Sequence, residues 1–269
     1  MTECDRMRLD AWLVQSGYAS SREKAKELIT AAYVAVDGRT VTKASFGITP
    51  SMAVTCSAPT PKHVGRGGYK LEKVLTSYDA SVKGAVCMDV GASTGGFTDC
   101  MLQNGAARVY AVDVGHDQLH KKLRTDARVT VLEGTDIRSD ALKKAVCAAS
   151  IDFCTVDVSF VSLSHVLPSI LPYLREDATL VCLIKPQFEA GARDIGKRGV
   201  VKDRRVHARV LGEMLMLFDS LALSLRHLTY SPITGGEGNI EYLAVLGSGA
   251  RATVDVATVV DEAYAALRK

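Results

Sequence analysis

Residues 86–97 read Val86-Cys-Met-Asp-Val-Gly-Ala-Ser-Thr-Gly-Gly-Phe97, and this stretch decides the fold of most of the chain. An apolar strand ends in an acid, a loop of small residues follows, and a helix then begins. Open α/β sheets bind ligands beyond the carboxyl end of such a strand, where glycines let the backbone approach the ligand. The residues predicted to contact a ligand here are Asp89, Gly91, Ser93, Gly95, Gly96 and Phe97.

The sequence after residue 85 alternates between β-rich runs and helical patterns. Strands are predicted near 85–90, 108–113, 128–132, 151–157 and 179–184. Such alternation indicates βαβ units and a parallel sheet covered by helices. A long helix near 203–220 precedes two further strand-like runs, 224–230 and 240–246, which suit a hairpin at one sheet edge. The predicted fold class is therefore α/β, with a Rossmann-like, mostly parallel seven-stranded sheet that ends in an antiparallel hairpin.

The first 60 residues predict a separate small α+β module. Apolar residues at helical spacing and a Ser20-Ser21 N-cap indicate a helix pair, and 34–41 alternates around Asp37-Gly38, a strong hairpin signal. The segment 57–62 has the proline and small-residue content of a linker. We predict a first domain over 1–60, a linker over 61–69 and a second domain over 70–269.

Composition argues against several classes of protein, namely membrane-spanning, secreted, zinc-binding and disulfide-bonded proteins. No apolar run approaches the roughly 20 residues needed to cross a bilayer, and the polar N-terminus lacks a secretory signal, so a cytoplasmic protein is expected. The seven cysteines include no CxxC pair, which indicates reduced core residues without a zinc site or disulfides. The formal net charge of +3 does not by itself identify a nucleic-acid binder.

Two further acids belong to the predicted ligand site. Asp113 ends the next strand, where its carboxylate is placed to accept hydrogen bonds from ribose hydroxyls. Asp136 follows the third strand, at a position where related folds have an acid near the adenine amino group of the ligand. The loop also matches the GxSxG nucleophile elbow of hydrolases, but no histidine has a suitable setting. A dinucleotide site would need glycine where Ser93 stands. A tight turn with a structural Asp89 stays open as a third interpretation.

A series of ordered motifs resembles the FtsJ-like ribose methyltransferases, and within them the TlyA-type, haemolysin A-like branch that carries an S4 RNA-binding domain. The motifs span nearly the whole chain and lie at 65–71, 91–97, 113–115, 157–163, 185–189 and 238–242. The resemblance implies an S-adenosylmethionine-dependent methyltransferase that modifies the 2′-hydroxyl of a cytidine in ribosomal RNA. The sulfonium methyl of that cofactor is already electrophilic, so no metal is expected.

The resemblance also implies a catalytic set at the ends of secondary-structure elements: Lys70, Asp157, Lys185 and Glu241. A ribose hydroxyl is a poor acid, so methyl transfer benefits from a base and from positive charge near the developing alkoxide. We assign Lys185 as the activating group, Asp157 and Glu241 as orienting groups, and Lys70 as the added positive charge.

Basic residues in two regions are predicted to contact RNA. The S4 resemblance points to Arg8, Ser21, Arg22, Lys24 and Lys26, with the helix start offering N–H groups to phosphates. Near the catalytic set, a basic run and the linker add Arg66, Arg193, Lys197 and Arg198. The tryptophan that often precedes the Gly-Gly-x-Lys segment in the family is absent here.

Two other functions remain as alternatives: a membrane-active haemolysin, and a non-catalytic RNA-binding factor for ribosome assembly. The intact catalytic set argues against the second, and the lack of a strongly amphipathic basic helix argues against the first. The expected partner is ribosomal RNA or a ribosomal subunit, with no membrane or metal, and the chain is expected to be a monomer.

Overall fold

A computed structural model describes residues 6–19, 21–57, 61–196 and 198–268. The chain divides into two compact units, residues 1–62 and 63–269. Ser20 of the predicted N-cap and the candidate RNA-binding residue Lys197 lie outside the described residues.

The first unit is a small α+β fold around two helices. Its helices are α1 (Leu9–Gln15) and α2 (Arg22–Thr30), and its strands are β1 (Met7–Arg8), β2 (Val34–Val36), β3 (Arg39–Thr40), β4 (Gly47–Ile48) and β5 (Val54–Cys56). Strand β1 pairs with β4, and β2 pairs with both β3 and β5. The predicted hairpin forms between β2 and β3, where Asp37 and Gly38 take φ values of +49° and +77°. Leu9, Leu13 and Ile29 are fully buried between the elements.

The second unit is built on a seven-stranded sheet, as predicted. Its strands are β6 (Val86–Val90), β7 (Arg108–Val112), β8 (Val129–Leu132), β9 (Ile151–Val156), β10 (Leu174–Ile184), β11 (Leu225–Tyr230) and β12 (Tyr242–Leu246). They lie in the order β11-β12-β10-β9-β6-β7-β8, and β12 is antiparallel to both of its neighbours while the other pairs are parallel. The predicted hairpin therefore occupies one edge of the sheet.

Helices cover both faces of this sheet. They are α3 (Gly68–Ser77), α4 (Gly96–Gln103), α5 (Lys121–Arg124), α6 (Asp140–Ala145), α7 (Leu163–Ile170), α8 (Pro186–Glu189), α9 (Arg204–Ser220) and α10 (Val256–Leu267). Alternate residues of a strand serve opposite cores: Cys182 and Ile184 of β10 pack on one face, and Val181 and Leu183 pack on the other. Because β6, β7, β9 and β10 run parallel, their carboxyl ends meet at one edge.

Residues 63–67, inside the predicted linker, pack into the second unit. His63 is 3% exposed, its Nε2 lies 3.2 Å from Glu72 Oε2, and a Cβ on Gly68 would lie 2.4 Å from the His63 ring.

Strand β10 begins at Leu174, five residues before the predicted start, with an irregularity between Leu174 and Thr179.

Candidate active site

The loop after β6 turns sharply because of its glycines. Gly91 has a φ of +83°, and a Cβ there would lie 2.3 Å from the Asp157 carbonyl oxygen. The loop after β6 and the loop after β9 therefore approach each other so closely at Gly91 that only glycine fits there. Ser93 also takes a left-handed φ of +47°, and its N–H donates to Asp113 Oδ2 at 2.8 Å. The loop is thus tied to the end of β7.

A cavity of about 520 Å³ opens beside this loop. Its walls come from the ends of β6, β7 and β9, from 135–138 and from the start of α7. Asp113 and Asp136 line it among apolar side chains such as Ile137 and Val166. Both Asp113 oxygens already accept a backbone N–H, from Ser93 and from Gly115, yet each keeps a lone pair for a further donor.

A second cavity, of about 230 Å³, lies on the other side of the loop. It is lined by Arg66, Gly67 and Lys70, by 91–97 without Gly95, and by 233–236. Gly91, Ser93 and Asp157 belong to the walls of both cavities. A molecule in the larger cavity and one in the smaller cavity would therefore meet beside Asp157.

The four predicted catalytic residues come together at this meeting point. Lys70 Nζ lies 2.7 Å from Glu241 Oε2 and 3.5 Å from Asp157 Oδ2, and Lys185 Nζ lies 2.5 Å from Asp157 Oδ1. Asp157 therefore bridges the two lysines. Among the described residues that line the smaller cavity are Lys70 and Asp157, while Lys185 contacts Asp157 and Glu241 contacts Lys70.

The ionisable side chains of this cluster are mostly buried. Lys70 and Lys185 are each 7% exposed, and Glu241 is 2% exposed. Buried ionisable groups are tolerated when each has a partner, and two lysine side chains here face two carboxylates. Each lysine sits at the end of an element: Lys70 in the first turn of α3, and Lys185 directly after β10.

Comparison with known proteins places this site in a family. The FtsJ-like methyltransferase family matches residues 63–248, and the S4 domain family matches residues 7–54. The chain belongs to the FtsJ-like methyltransferase family. Both predicted domain types and the predicted α/β fold are confirmed by these matches.

Three similar proteins span nearly all of this FtsJ-like methyltransferase. YqxC of Bacillus subtilis, named as an rRNA methyltransferase, is 42% identical over 269 residues, covering 97% of this chain and 95% of the relative. The 16S/23S rRNA (cytidine-2′-O)-methyltransferase TlyA of Mycobacterium tuberculosis is 40% identical over 238 residues, or 88% of each chain. A solved hemolysin structure from Streptococcus thermophilus has a TM-score of 0.74 at 37% identity, covering 97% of this chain and 96% of that one.

The cofactor that an FtsJ-like methyltransferase implies is S-adenosylmethionine, and the larger cavity fits it. The volume lies within the usual range for small-molecule sites. Apolar side chains suit the flat adenine ring, and the Asp113 carboxylate suits the two hydroxyls of a ribose. The close backbone turn at Gly91 leaves room beside the loop for the rest of the molecule.

Asp89 lies beneath the loop of this FtsJ-like methyltransferase and not in the wall of either cavity. It is fully buried, and its carboxylate accepts from Thr98 N at 2.9 Å, Thr98 Oγ1 at 2.7 Å and Thr155 Oγ1 at 2.8 Å. Desolvation by this burial raises the pKa of Asp89 to about 6. Asp89 therefore joins the start of α4 to β9 and supports the loop from below.

The remaining predicted cofactor residues differ in position. Gly96 and Phe97 line the smaller cavity, and a Cβ on Gly96 would lie 2.8 Å from Gly68 N. Gly95, with a φ of +92°, packs against Leu123. Asp136 forms two hydrogen bonds with the Arg138 guanidinium, which lowers the pKa of Asp136 to about 2. These glycines and Phe97 therefore shape the loop.

Two polar residues that sequence reasoning missed contact the catalytic set. Lys185 Nζ donates to Ser159 Oγ at 2.9 Å, and Gln187 Nε2 donates to Glu241 Oε1 at 3.4 Å. Ser159 lies two residues after Asp157, and Gln187 lies two after Lys185. Their position within the same two motifs was the signal that could have identified them.

The RNA-binding candidates of the second unit lie at the surface. Arg66 lines the smaller cavity and donates to the Thr234 carbonyl at 3.1 Å, while Arg193 and Arg198 are exposed. Lys197, between them, lies outside the described residues. Arg66 is thus the candidate that the structure brings to the active site.

In the S4 unit, a buried acid organises two of the candidates. Asp10 is fully buried and accepts from Arg8 Nε and Nη2 and from Arg22 Nη2, each at 3.0 Å. These arginines hold the pKa of the Asp10 carboxyl well below its usual range. Ser21 caps α2 by accepting from Lys24 N, Lys24 pairs with Glu27, and Lys26 is exposed.

The described ranges contain neither a candidate metal site nor a helix that could span a membrane. No group of three or more His, Cys, Asp or Glu side chains in those ranges is arranged to hold a metal. None of the helices there combines the length and apolar character needed to span a bilayer.

Proposed function

We propose that this FtsJ-like methyltransferase transfers a methyl group from S-adenosylmethionine to the 2′-hydroxyl of a cytidine in ribosomal RNA. The observation that carries the proposal is the convergence of Lys70, Asp157, Lys185 and Glu241 where the two cavities meet. The names of the Bacillus and Mycobacterium relatives support ribosomal RNA as the substrate.

The larger cavity would hold the cofactor. Asp113 would accept hydrogen bonds from the ribose, Asp136 would lie toward the adenine, and 91–97 would border the methionine part. When bound, the cofactor supplies a methyl group on a positively charged sulfur. Gly91 and Ser93 line both cavities and would let that end of the molecule reach the smaller cavity.

The smaller cavity would hold the target ribose. Lys185, as the neutral amine, would accept the proton of the 2′-hydroxyl while the hydroxyl oxygen bonds to the methyl carbon and the bond from that carbon to the cofactor sulfur breaks. Asp157 holds Lys185 at 2.5 Å and lines the cavity, so it orients both the amine and the hydroxyl. Lys70, held by Glu241 at 2.7 Å, adds positive charge that stabilises the developing alkoxide.

RNA recognition is assigned to both units. Arg8 and Arg22, held by Asp10, would contact phosphates from the S4 unit, with Lys24 and Lys26 adding charge. Arg66 would contact the RNA beside the target, and Arg193, Lys197 and Arg198 would clamp its backbone nearby. A ribosomal substrate would place the enzyme in the cytoplasm, and we expect it to act as a monomer.

Methyl transfer to isolated ribosomal subunits tests the proposal. Subunits are incubated with the protein and methyl-labelled S-adenosylmethionine, and the RNA is mapped for 2′-O-methylation. The expected result is label at a ribose hydroxyl of cytidine that requires the protein. Label on a base, or no label in either subunit, would refute the assignment.

The hemolysin name of the Streptococcus structure gives one specific reason to test membrane activity as well. Dye release from liposomes, measured on the same purified protein, separates the two functions. We expect no release at concentrations that methylate RNA fully.

A further inference from the structure

Glu133 lies one residue beyond β8 and binds a loop that has no assigned role. Its Oε1 accepts from the backbone N–H groups of Gln118 and Leu119, each at 2.8 Å, and its Oε2 accepts from the N–H of Asp117 at 3.1 Å. The side chain is 11% exposed. A carboxylate that binds consecutive backbone N–H groups fixes the path of that backbone.

Arg124 fastens the same loop from the next helix. Its Nη2 donates to Glu133 Oε2, and its Nε donates to the Leu119 carbonyl at 3.0 Å. The same guanidinium lies 3.6 Å from Asp117 Oδ1. Glu133 and Arg124 therefore satisfy both donors and acceptors of residues 117–119.

This loop needs such support because its backbone is strained. Asp117 has a φ of +55°, a left-handed conformation that is costly for a residue with a side chain. A Cβ on Gly134 would lie 2.3 Å from the His116 ring, so Glu133 and the loop pack closely. Without the carboxylate, three backbone N–H groups would lose their acceptor.

The loop forms part of the larger cavity. Gly115 and Gln118 line it together with Asp113, and the Gly115 N–H donates to Asp113 Oδ1 at 2.7 Å. The Gly115 carbonyl in turn accepts from Gly134 N at 2.9 Å. The position of the loop thus fixes the Asp113 carboxylate, which lines the cavity.

We propose that Glu133 is a positioning residue that holds residues 115–119 against the larger cavity and so sets the affinity for the nucleoside half of the cofactor. The proposal rests on the proposed function, which assigns that cavity to S-adenosylmethionine. Glu133 acts through the loop and Asp113, so it affects cofactor binding and not the methyl-transfer step.

Calorimetry on the full chain tests this role with Glu133→Gln. The amide keeps the size of the side chain but replaces one acceptor oxygen by a donor that faces backbone N–H groups. We expect S-adenosylmethionine and 5′-methylthioadenosine to bind about tenfold more weakly. The single-turnover methylation rate at saturating cofactor should stay within about twofold of the unsubstituted protein.

Asp126→Asn is the matched control. Asp126 lies between α5 and β8 and pairs with Arg128 at 2.7 Å, and no hydrogen bond or ion pair in the described part of the chain joins it to residues 115–119. The Asp126→Asn variant should bind S-adenosylmethionine and 5′-methylthioadenosine as tightly as the unsubstituted protein. If Glu133→Gln does not fold, Arg124→Gln takes its place, since it leaves the three backbone contacts of Glu133, and a weakening of about threefold is expected.

The outcomes separate the two claims. A folded Glu133→Gln or Arg124→Gln variant that binds both ligands as tightly as the unsubstituted protein would overturn the positioning role alone. Loss of methylation rate at saturating cofactor would also overturn it, because the effect would then lie in the chemical step. If the unsubstituted protein does not bind S-adenosylmethionine, the proposed function and this inference both fail.

Discussion

Replacement of Lys185 is the most direct test of how the catalytic set works. Lys185 Nζ contacts Asp157 at 2.5 Å and Ser159 at 2.9 Å, and it is the amine assigned to accept the hydroxyl proton. Lys185→Ala removes that amine. Lys185→Arg places a positive charge beside Asp157 but cannot accept a proton, because a guanidinium stays protonated.

The structure sets the size of the expected effects. A positioned general base contributes about 10²- to 10⁴-fold to a rate, so both variants should lose at least about 10²-fold in methyl transfer. The stability cost of Lys185→Ala should be about 1–3 kcal/mol, because Asp157 keeps Lys70 at 3.5 Å and is not left unpaired. Cofactor affinity should change little, since the larger cavity is lined by Asp157 and Ser159, and Lys185 is not among the described residues that line it.

The assay is single-turnover methylation of ribosomal RNA, with cofactor affinity measured on the same variants. Substantial methylation by Lys185→Arg would refute the reasoning, because this position would then supply only positive charge. The base would have to be Asp157, which lines the smaller cavity, or Glu241. Loss of cofactor binding in Lys185→Ala would contradict the separation of binding from chemistry.

Three other predictions test the supporting structure. Deletion of residues 1–60 should leave a folded second unit that binds S-adenosylmethionine but methylates RNA poorly, because the sheet and both cores of that unit lie after residue 62. Calorimetry and methylation assays check this prediction, and undiminished methylation would contradict it. The raised pKa of Asp89, about 6, means that the folded state holds a proton more tightly than the unfolded state, so this group favours folding below about pH 4 and that contribution is lost as pH rises through 6. Asp89→Asn should therefore remove a decline on the order of 2 kcal/mol in unfolding free energy between pH 4 and 7, measured by urea titration, and an unchanged pH profile would count against it. Gly91→Ala should abolish cofactor binding, because its Cβ would lie 2.3 Å from the Asp157 carbonyl, whereas Gly84→Ala, with a similar φ of +73° and nothing within 4 Å, should retain it.

The fold was predictable because its signals are local. The alternation of apolar runs after residue 85 depends on burial of strands on both faces, and each predicted strand overlaps an observed one. The early start of β10 at Leu174 was not predicted, because Arg175, Glu176 and Asp177 are exposed and carry no apolar pattern. Pairing of Leu174 with Ile151 extends the strand there, and that contact depends on the tertiary fold.

Without the family resemblance, the residue pattern predicts an active-site side chain only where it directly follows a strand. Asp157 and Lys185 follow parallel strands directly, so topology alone brings them to one edge of the sheet. Asp89 is the second-last residue of β6, two residues before the turn at Gly91, and its buried side chain is bound by Thr98 and Thr155. Glu133 shows the opposite case, since its role depends on the N–H groups of a loop 14 to 16 residues away. Side chains that face the ligand can thus be inferred from their place at a strand end, whereas those that hold the backbone around it become visible only through their contacts.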